Sequence, residues 1–123
     1  MRRDDVLLID LQKAAQRVTR YTSGVSRKEF LQDEMRQSAV QHEILIMGEA
    51  ANALSQSLKD SNPEVPWRRL IQLRNFYIHG YDQVDPNAVF RTATGLIRQV
   101  ERLVDDIVPK EEFSDTNDDQ GTM

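Results

Sequence analysis

Apolar residues recur along this chain at steps of three and four, the spacing that gathers them on one face of an α-helix. Leu7, Leu11, Ala14, Val18 and Tyr21 predict a first amphipathic helix from about Asp4 to Tyr21, ended by Thr22-Ser23-Gly24. Ser26-Arg27-Lys28-Glu29 has the form of a capping box and predicts a short helical turn through Phe30 and Leu31. Val40, Ile44, Met47, Ala51, Leu54 and Leu58 then alternate steps of four and three, so one continuous helix is expected from about Glu34 to Lys59. At ~1.5 Å per residue it would be nearly 40 Å long. Ala39, Ala50 and Ala53 with Gly48 give it a second, small-residue face that another helix, or a second copy of the chain, could approach closely.

Ser61-Asn62-Pro63 interrupts the pattern. Pro66 suits the first position of a third helix running from Trp67 through Leu70, Ile71 and Leu73 towards Ile78, with Gly80 as a left-handed stop. Asp85-Pro86 reads as an N-cap followed by a proline in the first turn. Val89, Phe90, Ala93, Leu96, Ile97, Val100, Val104 and Ile107 carry the fourth helix to Pro109. No segment alternates as a strand does. The expected fold is all-α: an up-down four-helix bundle with a short extra helical turn over residues 1–109. The tail 110–123 is acidic, has too little apolar content to pack, and reads as disordered.

Composition adds limits. At 123 residues, 39% hydrophobic and 29% charged, the chain has the size and balance of one water-soluble domain. It has no cysteine, which excludes disulfides, thiolate metal sites and a cysteine nucleophile. With no signal-like start and no apolar run long enough to span a bilayer, a cytoplasmic protein without membrane attachment is expected. The net charge of −4 sits in the tail, where Lys110 to Met123 hold five acids and one lysine. The preceding residues hold fifteen acids and fifteen bases, so the body is neutral and does not oppose an RNA partner. Twelve arginines against four lysines are compatible with phosphate recognition, and equally with a solvated ion-pair surface.

One segment asks for more than packing. Leu73-Arg74-Asn75-Phe76-Tyr77-Ile78-His79-Gly80-Tyr81 sets an arginine, a histidine and a tyrosine at a helix end in the pattern R-x4-H-x-Y. On an unbroken helix Arg74 and His79 would point about 140° apart, at ~100° per residue. A turn near Gly80 would let His79 and Tyr81 swing towards the face that Arg74 uses. The trio suits phosphodiester cleavage. RNA carries its own nucleophile in the 2′-hydroxyl, imidazole exchanges protons near neutral pH, and a guanidinium can hold a phosphate oxygen as charge develops. No metal-ligand spacing of His and carboxylates is present, so the chemistry would need neither metal nor cofactor. Helix-end capping by the arginine and histidine, with half-buried tyrosines, accounts for the same residues.

The segment Arg74 to Tyr81 resembles the signature of the HEPN superfamily, and the wider chain is similar to its HepT-type toxin branch. The resemblance extends through Arg36-Gln37-Ser38-Ala39-Val40, Ile46-Met47-Gly48-Glu49-Ala50-Ala51, Pro63-Glu64-Val65-Pro66-Trp67-Arg68 and Tyr81-Asp82-Gln83-Val84-Asp85, over roughly residues 5 to 108. It implies a homodimeric helical bundle, the toxin of a type VII toxin–antitoxin pair, that cleaves RNA with Arg74 and His79 in a cleft at the two-fold. It also implies a minimal nucleotidyltransferase antitoxin that silences the toxin by adenylylating Tyr81. Two places depart from the family pattern: Ser38, where relatives often carry an aspartate, and Gln41-His42, where the stretch is usually richer in arginine or asparagine. These bear on substrate preference. Glu49 either lines the cleft and orients Arg74 or forms a plain ion pair. Arg68 and Arg69 either extend a phosphate track, with Arg69 in the cleft, or solvate the helix. Asn75 is a candidate to hold the phosphate or the turn, and His42 reads as a surface residue. The competing functions are a non-catalytic nucleotide- or partner-binding helical module and a purely structural dimeric bundle.

Overall fold

The computed structural model describes residues 3–80 and 83–109, so the acidic tail and the Tyr81-Asp82 pair lie outside the described residues. Seven helices follow in order: α1 (Arg3–Thr22), α2 (Arg27–Leu31), α3 (Glu34–Ala53), α4 (Gln56–Ser61), α5 (Trp67–Gly80), α6 (Pro86–Thr94) and α7 (Leu96–Asp105). No strand occurs among the described residues. The all-α up-down bundle is present. α1 and α3 form its centre, α6 and α7 cover the other side of α1, and α5 lies outboard, packed mainly on α3.

The core is built largely from the predicted stripes, except that α1 buries Leu8 where Leu7 was expected, and Leu7 and Tyr21 only pack against it. Leu8, Leu11, Ala14 and Val18 of α1 meet Val40, Ile44, Met47 and Ala51 of α3 and Ile97, Val100 and Val104 of α7. Polar pairs between helices set the antiparallel register. Thr19 Oγ1 donates to Glu101 Oε1 at 2.6 Å, and Gln12 Nε2 donates to Asp105 Oδ1 at 2.9 Å. Between α1 and α3, Arg17 Nε donates to the buried Glu43 carboxylate at 2.8 Å. An unpaired carboxylate there would be costly, so the arginine is what permits the glutamate inside the bundle.

The caps follow local sequence. Ser26 and Glu29 form the expected capping box. Its serine contacts hold the Glu29 carboxyl below its ordinary pKa. Asp85 caps α6 through the Asn87 amide, with Pro86 in the first turn. Asp33 caps α3 by accepting from the Arg36 amide at 3.0 Å, and that bond lowers its pKa. Arg36 Nη1 also donates to the Tyr21 carbonyl at 2.6 Å, closing the end of α1.

The structure corrects three expectations. The helix expected over 34–59 ends at Ala53. Leu54 is extended, and Ser55 caps a separate α4. The Ser55 amide and hydroxyl donate to the Asp4 carboxylate, and Lys59 Nζ donates to the Ala51 carbonyl. An amide and a carbonyl that a continuous helix would join to each other are thus satisfied by side chains. The fourth helix is likewise split at Gly95, where the Thr94 hydroxyl donates to the Phe90 carbonyl at 2.8 Å. Such a hydroxyl competes with the helical ladder and favours a bend. Gly80, expected to be a left-handed stop, is instead the last residue of α5. Only Gly24 has positive φ, 74°, among the described glycines.

The small-residue face of α3 is used inside the protomer. Gly48 packs under α5 and Ala50 is buried, so neither is free to pair with a second copy.

Candidate active site

α5 turns Trp67, Leu70 and Tyr77 inward, and Arg74 stands on the same side, four residues after Leu70. Its stem therefore runs against α3. Gly48 makes the approach possible: a Cβ there would overlap the Arg74 Cβ and lie 2.7 Å from the Leu70 carbonyl oxygen. The guanidinium emerges at the edge of the helix pair with its side chain 27% exposed. Nε donates to Glu49 Oε2 at 3.1 Å, and Nη1 donates to Asn75 Oδ1 at 2.9 Å. Nη2 has no protein partner among the described residues. Two of the three guanidinium nitrogens are thus held, Nε from α3 and Nη1 from α5.

Glu49 is thus both an interhelical ion pair and the group that orients Arg74. Asn75 holds the arginine rather than a turn. His79 is exposed on the last turn of α5 and has no hydrogen bond among the described residues. Because α5 stays helical through Gly80, the expected swing of His79 towards Arg74 does not occur. The two side chains leave the helix about 140° apart. Tyr81 lies outside the described residues.

Arg69 is exposed. Its charge acts on Tyr77, whose pKa burial pushes up to about 12, so the Tyr77 hydroxyl stays a hydrogen-bond donor. Arg68 stands apart, in a groove of about 480 Å³ with Lys59 and Trp67. His42 is exposed, as expected, but it lines a groove with Tyr77 and Ile78 of α5, a relationship that sequence reasoning missed. The departures at Ser38 and Gln41-His42 were the signal, since both places line that groove.

Among the described residues no group of three or more His, Cys, Asp or Glu could hold a metal ion. Nor, among those residues, is any helix long and apolar enough to cross a membrane.

Comparison with known proteins finds relatives by sequence. The chain is 32% identical over 85 residues to a Thermococcus cleftensis protein named "Probable ribonuclease HepT", covering 69% of this chain and 77% of that one. It is 32% identical over 78 residues to the Methanocaldococcus jannaschii protein "Putative RNase MJ1380", covering 63% and 72%. Another M. jannaschii protein, "Putative RNase MJ0127", is 28% identical over 111 residues, 87% of this chain and 92% of that one. No solved structure matches. Residues 11–107, which include the fixed Arg74 and the exposed His79, match the ribonuclease HepT-like family, and the chain belongs to that family.

Proposed function

We propose that this chain is a metal-independent endoribonuclease, the toxin of a type VII toxin–antitoxin pair, with Arg74 and His79 as its catalytic residues. The observation that carries this reading is the held guanidinium. Glu49 and Asn75 hold Nε and Nη1 of Arg74 and leave Nη2 without a partner among the described residues, available to a phosphate oxygen. The 2′-hydroxyl of RNA attacks the adjacent phosphorus, and the bond to the 5′-oxygen of the next nucleotide breaks. A 2′,3′-cyclic phosphate and a 5′-hydroxyl result. His79 moves a proton from the 2′-oxygen or to the departing 5′-oxygen, and Arg74 offsets charge growing on the non-bridging oxygens.

One protomer supplies one such histidine, whereas attack and departure need both a base and an acid. Two copies supply both. α5 packs mainly on α3 and leaves Phe76 54% exposed on its outward side, near His79 by helical spacing. A homodimer joined through that side covers the ring and brings the two histidines towards each other. The partner for control is a minimal nucleotidyltransferase acting on Tyr81 in the cytoplasm, since an added AMP would occupy Arg74 and repel an incoming phosphate.

A non-catalytic nucleotide- or partner-binding module is favoured by one fact: nothing in the described protomer orients His79. A single experiment separates the two. His79→Ala should lower RNA cleavage in the presence of EDTA by ~10²–10⁴ with an unchanged circular dichroism spectrum. Cleavage equal to the parent's would remove His79 from the mechanism.

A further inference from the structure

α3 and α5 enclose a groove of about 430 Å³ lined by Ser38, Gln41, His42, Leu45, Tyr77 and Ile78. Small-ligand sites span about 300–1,000 Å³, so it is large enough for a planar heterocycle. Its walls are of two kinds. Leu45, Ile78 and the Tyr77 ring are apolar surface. Ser38, Gln41, His42 and the Tyr77 hydroxyl carry hydrogen-bonding groups, and among the described residues none of them has a partner. Hydroxyl, amide and neutral imidazole groups each present both a donor and an acceptor.

Among the described residues, the groove's lining holds no arginine, lysine or carboxylate. It is therefore poorly suited to a phosphate, whereas the fixed guanidinium beside it is well suited to one. Arg74 and Ile78 are four residues apart on α5, and Leu45 and Glu49 are four apart on α3. On both helices the end at the Arg74–Glu49 pair and the apolar end are separated by ~6 Å along one face. A nucleotide has the same order of parts, with a charged phosphate joined through a sugar to a flat, largely apolar base whose edge is polar.

We propose that this groove is a nucleobase subsite: it takes the base of the RNA nucleotide whose phosphate Arg74 holds, and Gln41 and His42 read its edge. The inference rests on the ribonuclease reading and assigns that site a source of sequence preference. Leu45 and Ile78 sandwich the base faces, as apolar and aromatic side chains do where single-stranded RNA is read. Ser38 and the Tyr77 hydroxyl supply further bonds.

The test is binding rather than cleavage. Fluorescence anisotropy is measured with the full chain and 2′-O-methyl oligonucleotides, which lack the free 2′-hydroxyl, each made of one base type. The parent should favour one base type by about tenfold, the magnitude of one or two good hydrogen bonds. Gln41→Ala and His42→Ala should each erase most of that preference while leaving affinity for the disfavoured oligonucleotides unchanged. Leu45→Trp, which fills the groove, should lower affinity for all base types. Equal affinity of the parent for all four, or a preference that survives in both Gln41→Ala and His42→Ala, overturns the subsite. Base-selective binding by a parent that cleaves no ordinary RNA would overturn the ribonuclease reading and leave the nucleobase subsite standing.

Discussion

Gly48 and Arg74 are packed so closely that no side chain fits between them: a Cβ on Gly48 would overlap the Cβ of Arg74 and sit 2.7 Å from the Leu70 carbonyl oxygen. The clash is with the base of a side chain and with backbone, neither of which can rotate away. Gly48→Ala should therefore push α5 off α3 and cost about 1–3 kcal/mol, seen as a lower urea midpoint. A variant as stable as the parent would show that α5 packs less tightly than described.

Glu49 holds Arg74 across the same interface, with the carboxylate side chain 52% exposed. An exposed pair of this kind contributes about 0.2–1 kcal/mol, so Glu49→Ala should barely change stability. RNA cleavage should fall about tenfold, because the guanidinium loses its fixed orientation and a loosely held ligand stabilises charge less well. Arg74→Lys should fall further, since a lysine keeps the charge but not the fork. If Glu49→Ala cleaves at the parental rate, Glu49 is only a surface ion pair.

Phe76 tests the assembly. In sedimentation the parent should run as a dimer of two 14.2 kDa chains at micromolar concentration. Phe76→Asp should run at the mass of one chain with its helical spectrum intact, because the ring is 54% exposed and contributes little to the protomer's own core. A parent that is monomeric under these conditions has no two-fold site.

Tyr81 tests control. After incubation with a cognate minimal nucleotidyltransferase and ATP, intact-mass spectrometry should show AMP-sized additions on the parent and none on Tyr81→Phe. The phenylalanine variant should keep cleaving RNA. Silencing of that variant without a mass change would mean that the antitoxin acts by binding alone.

What the sequence determined by itself is what nearest neighbours along the chain decide. The stripe from Leu11 to Val18, the Ser26–Glu29 capping box and the Asp85-Pro86 helix start all form where periodicity and capping place them, because each rests on contacts within a few residues. The R-x4-H-x-Y segment was legible as a candidate site because its three residues lie within eight positions of one another. Tertiary structure decided the rest. Leu54 continues a perfect apolar stripe, yet the helix ends before it. The Ser55 groups that end it donate to Asp4, fifty-one residues away, and Lys59 takes the freed Ala51 carbonyl. Gly48 read as one of several small residues that a helix or a second copy could approach closely, and only packing makes that neighbour α5. Glu49 and Arg74 are twenty-five residues apart, so their bond exists only once two helices pack. His42, on the surface by every local rule, acquires a neighbourhood only when Tyr77 and Ile78 close the groove beside it. Periodicity reports which face of a helix is apolar; which helix covers that face, and which polar atoms it meets there, are settled by packing between distant segments.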